Sequence, residues 1–233
     1  VVLGKRRPTM AKSQQGTALK KSSGVASTTE TITITPLKEG ILRVKLVGLT
    51  PYMQNRFSQK ALNQLKSTHE LGSAGKKGRK KEPRDFQKDF EGAKHISTEG
   101  WTGVPAAAFR NACIDACRMC GFKMTHARMS IFIQHDGLDK VDGQPLVKLD
   151  GDACEENLSY VRNETGVVDL RCRPMWRNWS INLTVKFDLD QFTKSDVANL
   201  LNRAGKQVGI GEGRPFSKKS NGLGLGTFTI ENA

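Results

Sequence analysis

Trp179-Ser180-Ile181-Asn182-Leu183-Thr184-Val185-Lys186-Phe187-Asp188-Leu189 alternates apolar and polar residues. Ile181, Leu183, Val185 and Phe187 fall on one face, and Asn182, Thr184 and Lys186 on the other. That is the period of a strand with one face buried. Just after it, Thr193 with Asp196 three positions on reads as the cap of a helix running to about Arg203. Asp196 stands where Glu or Gln is more usual. Val197, Leu200, Leu201 and Ala204 mark the buried stripe of that helix. A glycine-rich run follows, and a last strand is predicted from about Leu225 to Ile230.

Upstream, Val167 to Arg173 and Trp179 to Leu189 read as two strands around Pro174, together a strand or a hairpin. Gly40 to Leu49 alternates well enough for a first strand, stopped by Thr50-Pro51. Phe57 to Lys66 is a short helix candidate. Pro105 suits the first turn of a helix from about Ala106 to Met119, which Gly121 can end. Met129 to Gln134 is predicted as a buried strand, and a short strand is placed around Leu146 to Leu149. Without insertions the order is βαββαβ, the ferredoxin-like or split-βαβ pattern, giving an α+β fold. Its antiparallel sheet carries helices on one face and leaves the other to a ligand, the face that RNA-recognition domains use. Residues 1–35 read as a disordered basic arm. Residues 36–233 read as one domain with a basic insertion at 67–92 and a loop-rich one at 135–165.

The 233 residues carry a net charge of +14, with a pI near 9.8. A polyanionic partner is implied, nucleic acid ahead of an anionic membrane. Lys5, Arg6, Arg7, Lys12, Lys20 and Lys21 stand against Glu30 alone in the arm, and the remaining excess is internal. No apolar run is long enough to span a bilayer. No secretory signal is visible, so the five cysteines are expected as reduced thiols in a cytoplasm.

Candidate phosphate contacts are Lys76, Lys77, Arg79, Lys80 and Lys81 in the first insertion. Arg171, Arg173, Lys206, Arg214, Lys218 and Lys219 join them downstream. The run Val208-Gly209-Ile210-Gly211-Glu212-Gly213-Arg214-Pro215 has two readings. It is an anion-binding nest of N–H groups, with Gly209 and Gly211 at its centre, or a connection in which glycine permits close packing. Trp176, between Arg173 and Arg177, either stacks on a base or closes the sheet edge. Cys113, Cys117 and Cys120 have the spacing of an iron–sulfur motif, but they fall in an Ala-rich helix and read as packing. The four histidines show no metal-ligand spacing, and Asp136, Asp139, Asp142, Asp150 and Asp152 read as turn residues. No cofactor, metal or catalytic group is expected.

The ending, with Gly205, Gly209, Gly211, Arg214, Gly222, Gly224 and Gly226, resembles the glycine-rich C-terminal signature of the RAMP superfamily, the RNA-binding proteins of CRISPR effectors. Met53-Gln54-Asn55-Arg56-Phe57-Ser58, Val104-Pro105-Ala106-Ala107-Ala108-Phe109, Lys123-Met124-Thr125-His126-Ala127-Arg128 and the run at 208–215 resemble motifs of a family of small bacteriophage and prophage proteins. What this implies is a non-catalytic protein gripping single-stranded nucleic acid, RNA ahead of DNA. It would be a repeated subunit forming a homo-oligomer or helical assembly in the bacterial cytoplasm, with other effector or phage proteins as further partners. A phage structural protein that assembles without nucleic acid, and an accessory or enzyme of nucleic-acid metabolism, are the alternatives.

Overall fold

The structure is a computed structural model, and it describes residues 34–57, 59–71, 83–162, 168–217 and 222–231. In chain order its elements begin with β1 (Glu39–Gly48), β2 (Tyr52–Met53), α1 (Gln59–Leu71), α2 (Phe86–Gly92), β3 (Gly103–Pro105) and α3 (Ala106–Cys120). Then come α4 (Met124–Ser130), β4 (Ile131–Gln134), β5 (Gly137–Leu138), β6 (Pro145–Lys148), β7 (Asp150–Gly151) and β8 (Glu155–Arg162). The chain closes with β9 (Val168–Trp176), β10 (Trp179–Asp188), α5 (Lys194–Arg203), a π-helical turn (Ala204–Val208) and β11 (Phe228–Ile230).

The protein is a mixed α and β chain, and among the described residues all strand pairings are antiparallel. The main sheet runs β11-β1-β10-β4, with β7 beside β10. Smaller sheets run β2-β9-β8 and β3-β6-β5. The alternation in β10 is realised: Trp179, Ile181, Leu183, Val185 and Phe187 are buried while Asn182 is exposed. In β1, Gly40 and Leu46 are buried on the core face while Ile41, Arg43 and Lys45 are exposed on the other.

Two helices supply the other half of the core. Phe109, Ala112, Cys113, Ala116 and Cys117 form the buried stripe of α3, and Val197, Leu200 and Leu201 that of α5. Phe109 meets Phe228 edge-on at 5.8 Å. Each fully buried side chain of this size contributes about 1.5–3 kcal/mol. Gly121, at φ 69°, ends α3 in the left-handed conformation. The capping box of α5 is formed: the Asp196 N–H donates to Thr193 Oγ1 at 3.2 Å, and the Thr193 N–H to Asp196 Oδ2 at 2.9 Å. Cys113 and Cys117 pack in the core, where burial pushes their thiols up to about 12 and about 11.

Several expectations are corrected. The segment before Pro174 does not pair with 179–189. β9 runs through the proline to Trp176 and belongs with β8 and β2. Pro174 is tolerated because β2 ends beside it; the proline carbonyl still accepts the Gln54 N–H at 3.0 Å. The insertion at 67–92 contains the end of α1 and all of α2, with Phe90 buried as an anchor. The insertion at 135–165 holds β5, β6, β7 and β8. Met129 and Ser130 belong to α4, so the strand there starts at Ile131. The arm expected over 1–35 lies, except for its last two residues, outside the described residues.

Candidate nucleic-acid interface

The antiparallel register lays the exposed face of the main sheet out in rows. Ile41, Lys186 and Phe132 form one row across β1, β10 and β4; Arg43, Thr184 and Gln134 form the next. Lys45 and Asn182 form a third. Directly opposed residues of an antiparallel pair point to the same side, so these side chains share one surface. Arg43, Lys45, Asn182 and Thr184 line a shallow depression of about 310 Å³ there.

Lys45 reaches Glu231 at 3.0 Å and Lys186 reaches Glu39 at 3.7 Å, both in solvent-exposed pairs. Such pairs contribute about 0–1 kcal/mol, so they can be exchanged for another anion at little cost. Arg43 has neither a hydrogen bond nor an ion pair among the described residues. Beside this row Phe132 is 46 % exposed, and the Arg110 guanidinium lies 5.0 Å from its ring. Arg110 also donates to the carbonyls of Ile131 and Arg128, which fixes the outer edge of β4. Cations, amide and hydroxyl groups and one accessible ring therefore stand on a single flat surface. That is the chemistry of phosphate contact and base stacking.

The described residues among those singled out from sequence stand elsewhere. Lys76, Lys77, Arg79, Lys80, Lys81, Lys218 and Lys219 lie outside the described residues. Arg173 Nε is 3.0 Å from Glu212, and Arg171 lies 3.6 Å from Glu212 and 3.5 Å from Asp169. Arg84 joins Asp169 to Asp89 at 2.7 and 2.6 Å. These guanidinium groups fasten β9 to the glycine-rich loop and to α2. Trp176 is 5 % exposed and stacks on Tyr52 at 5.7 Å, so it closes the small sheet and offers no face to a base.

The glycine-rich loop turns its N–H groups inward. Gly209 donates to the Ala204 carbonyl at 2.8 Å, Ile210 to Gly226 at 2.9 Å, Glu212 to Met53 at 2.9 Å and Gly226 to Pro51 at 2.8 Å. An anion nest needs those donors free, so the close-packing reading holds at these positions. Gly211, at φ 78°, has no room for a side chain: a Cβ would sit 2.5 Å from the Met53 carbonyl. Arg214 donates to the Gly211 carbonyl at 2.9 Å. Lys206 is exposed on the π-helical turn.

A polar cluster, buried except at Asp142, went unseen in the sequence. Gln54, Arg56, His95, Asp139 and Asp142 come together from three distant segments. Asp139 takes the His95 Nδ1 contact at 2.8 Å, the Val141 N–H at 2.8 Å and the Arg56 guanidinium at 3.6 Å. Burial alone would raise the Asp139 carboxyl, but the Val141 N–H, the His95 ring and Arg56 outweigh it and hold it below the ordinary carboxylate range. Burial lowers His95 against the opposing pull of Asp139. Arg56 Nε, buried and without a hydrogen bond, faces Asp142 at 3.8 Å. The ligand atoms of His95, Asp139 and Asp142 lie within 4.8 Å of one another, a spacing that a cation would accept. Arg56 already supplies positive charge to both carboxylates, and the His95–Asp139 contact leaves no gap between those two donors. The cluster is therefore a brace. Asp139 and Asp142 also cap turns, as expected from the sequence, accepting from Val141 and Gln144.

Comparison with protein-family models and with curated proteins gave no match. Among the described residues, no helix is long and apolar enough to cross a membrane.

Proposed function

We propose that this protein binds single-stranded nucleic acid, without catalysis, on the exposed face of the β11-β1-β10-β4 sheet. The observation that carries the reading is Arg43. It has no partner among the described residues, and it stands opposite Thr184, with the Lys45–Asn182 row on one side and Lys186 on the other. The chain's +14 charge supports it. The strand order, with α3 and α5 on the opposite face, fits the split-βαβ arrangement of RNA-recognition domains, in which the open face takes the strand. RNA is favoured over DNA through this likeness and through the resemblance to RAMP proteins, which also suggests that successive copies line up along one strand.

Fluorescence anisotropy with unstructured RNA and DNA oligonucleotides tests this across a salt series. Each phosphate contact contributes about 0.7 to the slope of log affinity against log salt on a single strand. The combined Arg43→Ala, Lys45→Ala, Lys186→Ala variant should therefore lose roughly 2 in slope. An unchanged affinity and slope would sink the proposal. Arg43→Lys should keep the slope while losing the bidentate geometry.

A further inference from the structure

The exposed face of the main sheet is sorted chemically by strand. On β1 the row positions hold Ile41, Arg43 and Lys45; on β10 they hold Lys186, Thr184 and Asn182; on β4, Phe132 and Gln134. Lys186 works with the β1 column, because its Nζ lies 3.7 Å from Glu39 of β1. Cations therefore gather over β1, a hydroxyl and an amide stand over β10, and a ring and an amide stand over β4. Asn182, Thr184 and Gln134 make no side-chain hydrogen bond among the described residues, although each offers both a donor and an acceptor. The rows on either side differ in charge. Glu39 faces Asp188 at one end, and Val47, Ser180 and Asp150 form the row at the other. Carboxylates thus close the cationic stretch at both ends.

We infer that the nucleic acid runs along the strands, phosphates over β1, sugars over β10 and bases over β4, and that Thr184 and Asn182 hold ribose 2′-hydroxyls. This rests on the single-strand binding proposed above. Row positions repeat every 6.6–6.8 Å or so along a strand, about two residues' rise. That is close to the step between successive phosphates of an extended polynucleotide, so each row takes one nucleotide. Neighbouring strands lie about 4.7–4.9 Å apart, so β1 and β4 are separated by roughly the reach of a nucleotide from its phosphate across the sugar to the base. Lys186, Arg43 and Lys45 then supply one cation to each row, and about three nucleotides fit between the acidic rows. A 2′-hydroxyl both donates and accepts, and the uncommitted hydroxyl of Thr184 and amide of Asn182 are the partners it needs. Phe132 gives a base its stacking face, and Gln134, one row further along β4, gives a base edge its amide. A path across the sheet would lay phosphates over Phe132 and bases among the cations, against the chemistry of both columns.

Competition binding tests the middle column, using the nuclease-treated full chain with RNA and DNA oligonucleotides of one sequence and uracil in both. The wild type should prefer RNA by roughly tenfold or more, the worth of two neutral hydrogen bonds. Thr184→Val keeps the branched shape and should shrink that ratio about fivefold; adding Asn182→Ala should abolish it. Irradiation of wild-type protein bound to RNA carrying 5-iodouracil, followed by peptide mass spectrometry, should place a base cross-link at Phe132. Equal affinity of the wild type for the two sugars would overturn the inference. So would a ratio that survives both substitutions, or a cross-link map that includes β1 and omits Phe132. The salt slope of the Arg43→Ala, Lys45→Ala, Lys186→Ala variant is read separately. If that slope falls while the sugar ratio and the cross-links disagree, the binding face stands and only this path across it fails; if no single strand binds at all, both fall.

Discussion

Replacing Gln54 with alanine should destabilise the protein by about 4 kcal/mol, because each buried polar group left unpaired costs about 1–3 kcal/mol. The side chain is 2 % exposed and joins three segments. Its Nε2 donates to the Gly103 carbonyl at 2.8 Å and to the Tyr52 hydroxyl at 3.2 Å; its Oε1 accepts the His95 N–H at 3.0 Å. Alanine strands one carbonyl, one N–H and one hydroxyl where water has little access, and it leaves a cavity as well. A loss of this size would remove much of the roughly 5–15 kcal/mol typical of a folded domain. Urea unfolding followed by tryptophan fluorescence is the assay, since Trp176 and Trp179 both lie against Tyr52, at 5.7 and 5.6 Å. Gln54→Glu keeps the acceptor for His95 but turns an oxygen toward the Gly103 carbonyl, so it should cost at least as much. A Gln54→Ala protein within about 1 kcal/mol of wild type would refute the view that this cluster is a brace, since a single well-made hydrogen bond is already worth that much.

Acidification should weaken the fold through His95. Burial holds its pKa below the ordinary value, so below about 6.5 the unfolded chain takes up a proton that the folded chain does not. Stability from this source is full above that pH and is lost as the pH falls toward the folded pKa; His95→Gln should remove the slope in a pH series of thermal melts. Gly226→Ala should cost several times more than Gly224→Ala in melting temperature. Both residues are left-handed, at φ 66° and 74°, but only at Gly226 would a Cβ strike a backbone group, the Ile210 carbonyl. Arg173→Ala should lower stability by about 1–3 kcal/mol, the worth of a charged hydrogen bond, while leaving oligonucleotide affinity unchanged, because this guanidinium is spent on Glu212. Phe132→Ala should reduce affinity by about 1–3 kcal/mol for a stacked base without altering the salt slope, and abasic oligonucleotides should not distinguish it from wild type.

Much of the frame was legible because local pattern and final burial coincide. The alternation over 181–187, the Thr193–Asp196 cap and the Gly121 stop each act within a few residues, and each is present as read. Pro174 misled because its effect depends on what lies beside it. A proline ends a strand when its missing N–H leaves a gap in a long ladder, and here the neighbouring strand has already ended. The proposed binding face was half visible. Asn182, Thr184 and Lys186 were read as the polar face of a strand, but nothing local aligns Thr184 with Arg43 of a segment far upstream. The His95–Asp139 contact has no spacing signal at all, because its partners meet only when the chain is closed.

Charge density along the chain is a poor guide to where a polyanion would sit, and the arginines show why. Arg171 and Arg173 stand in the most suggestive local sequence, amid Trp176, Arg177 and Trp179, yet Glu212, far downstream, takes up both. Arg43 stands alone between Leu42 and Val44 in an unremarkable strand and keeps its guanidinium uncommitted among the described residues. A cation already bound to a partly buried carboxylate must give up that pair before it can hold a phosphate, which costs more than an exposed pair contributes. An exposed cation without a partner has no such cost. The free energy available to a ligand therefore depends on what each charge has left over after folding, and by that measure the β1–β10 face outranks the arginine–tryptophan run that the sequence favoured.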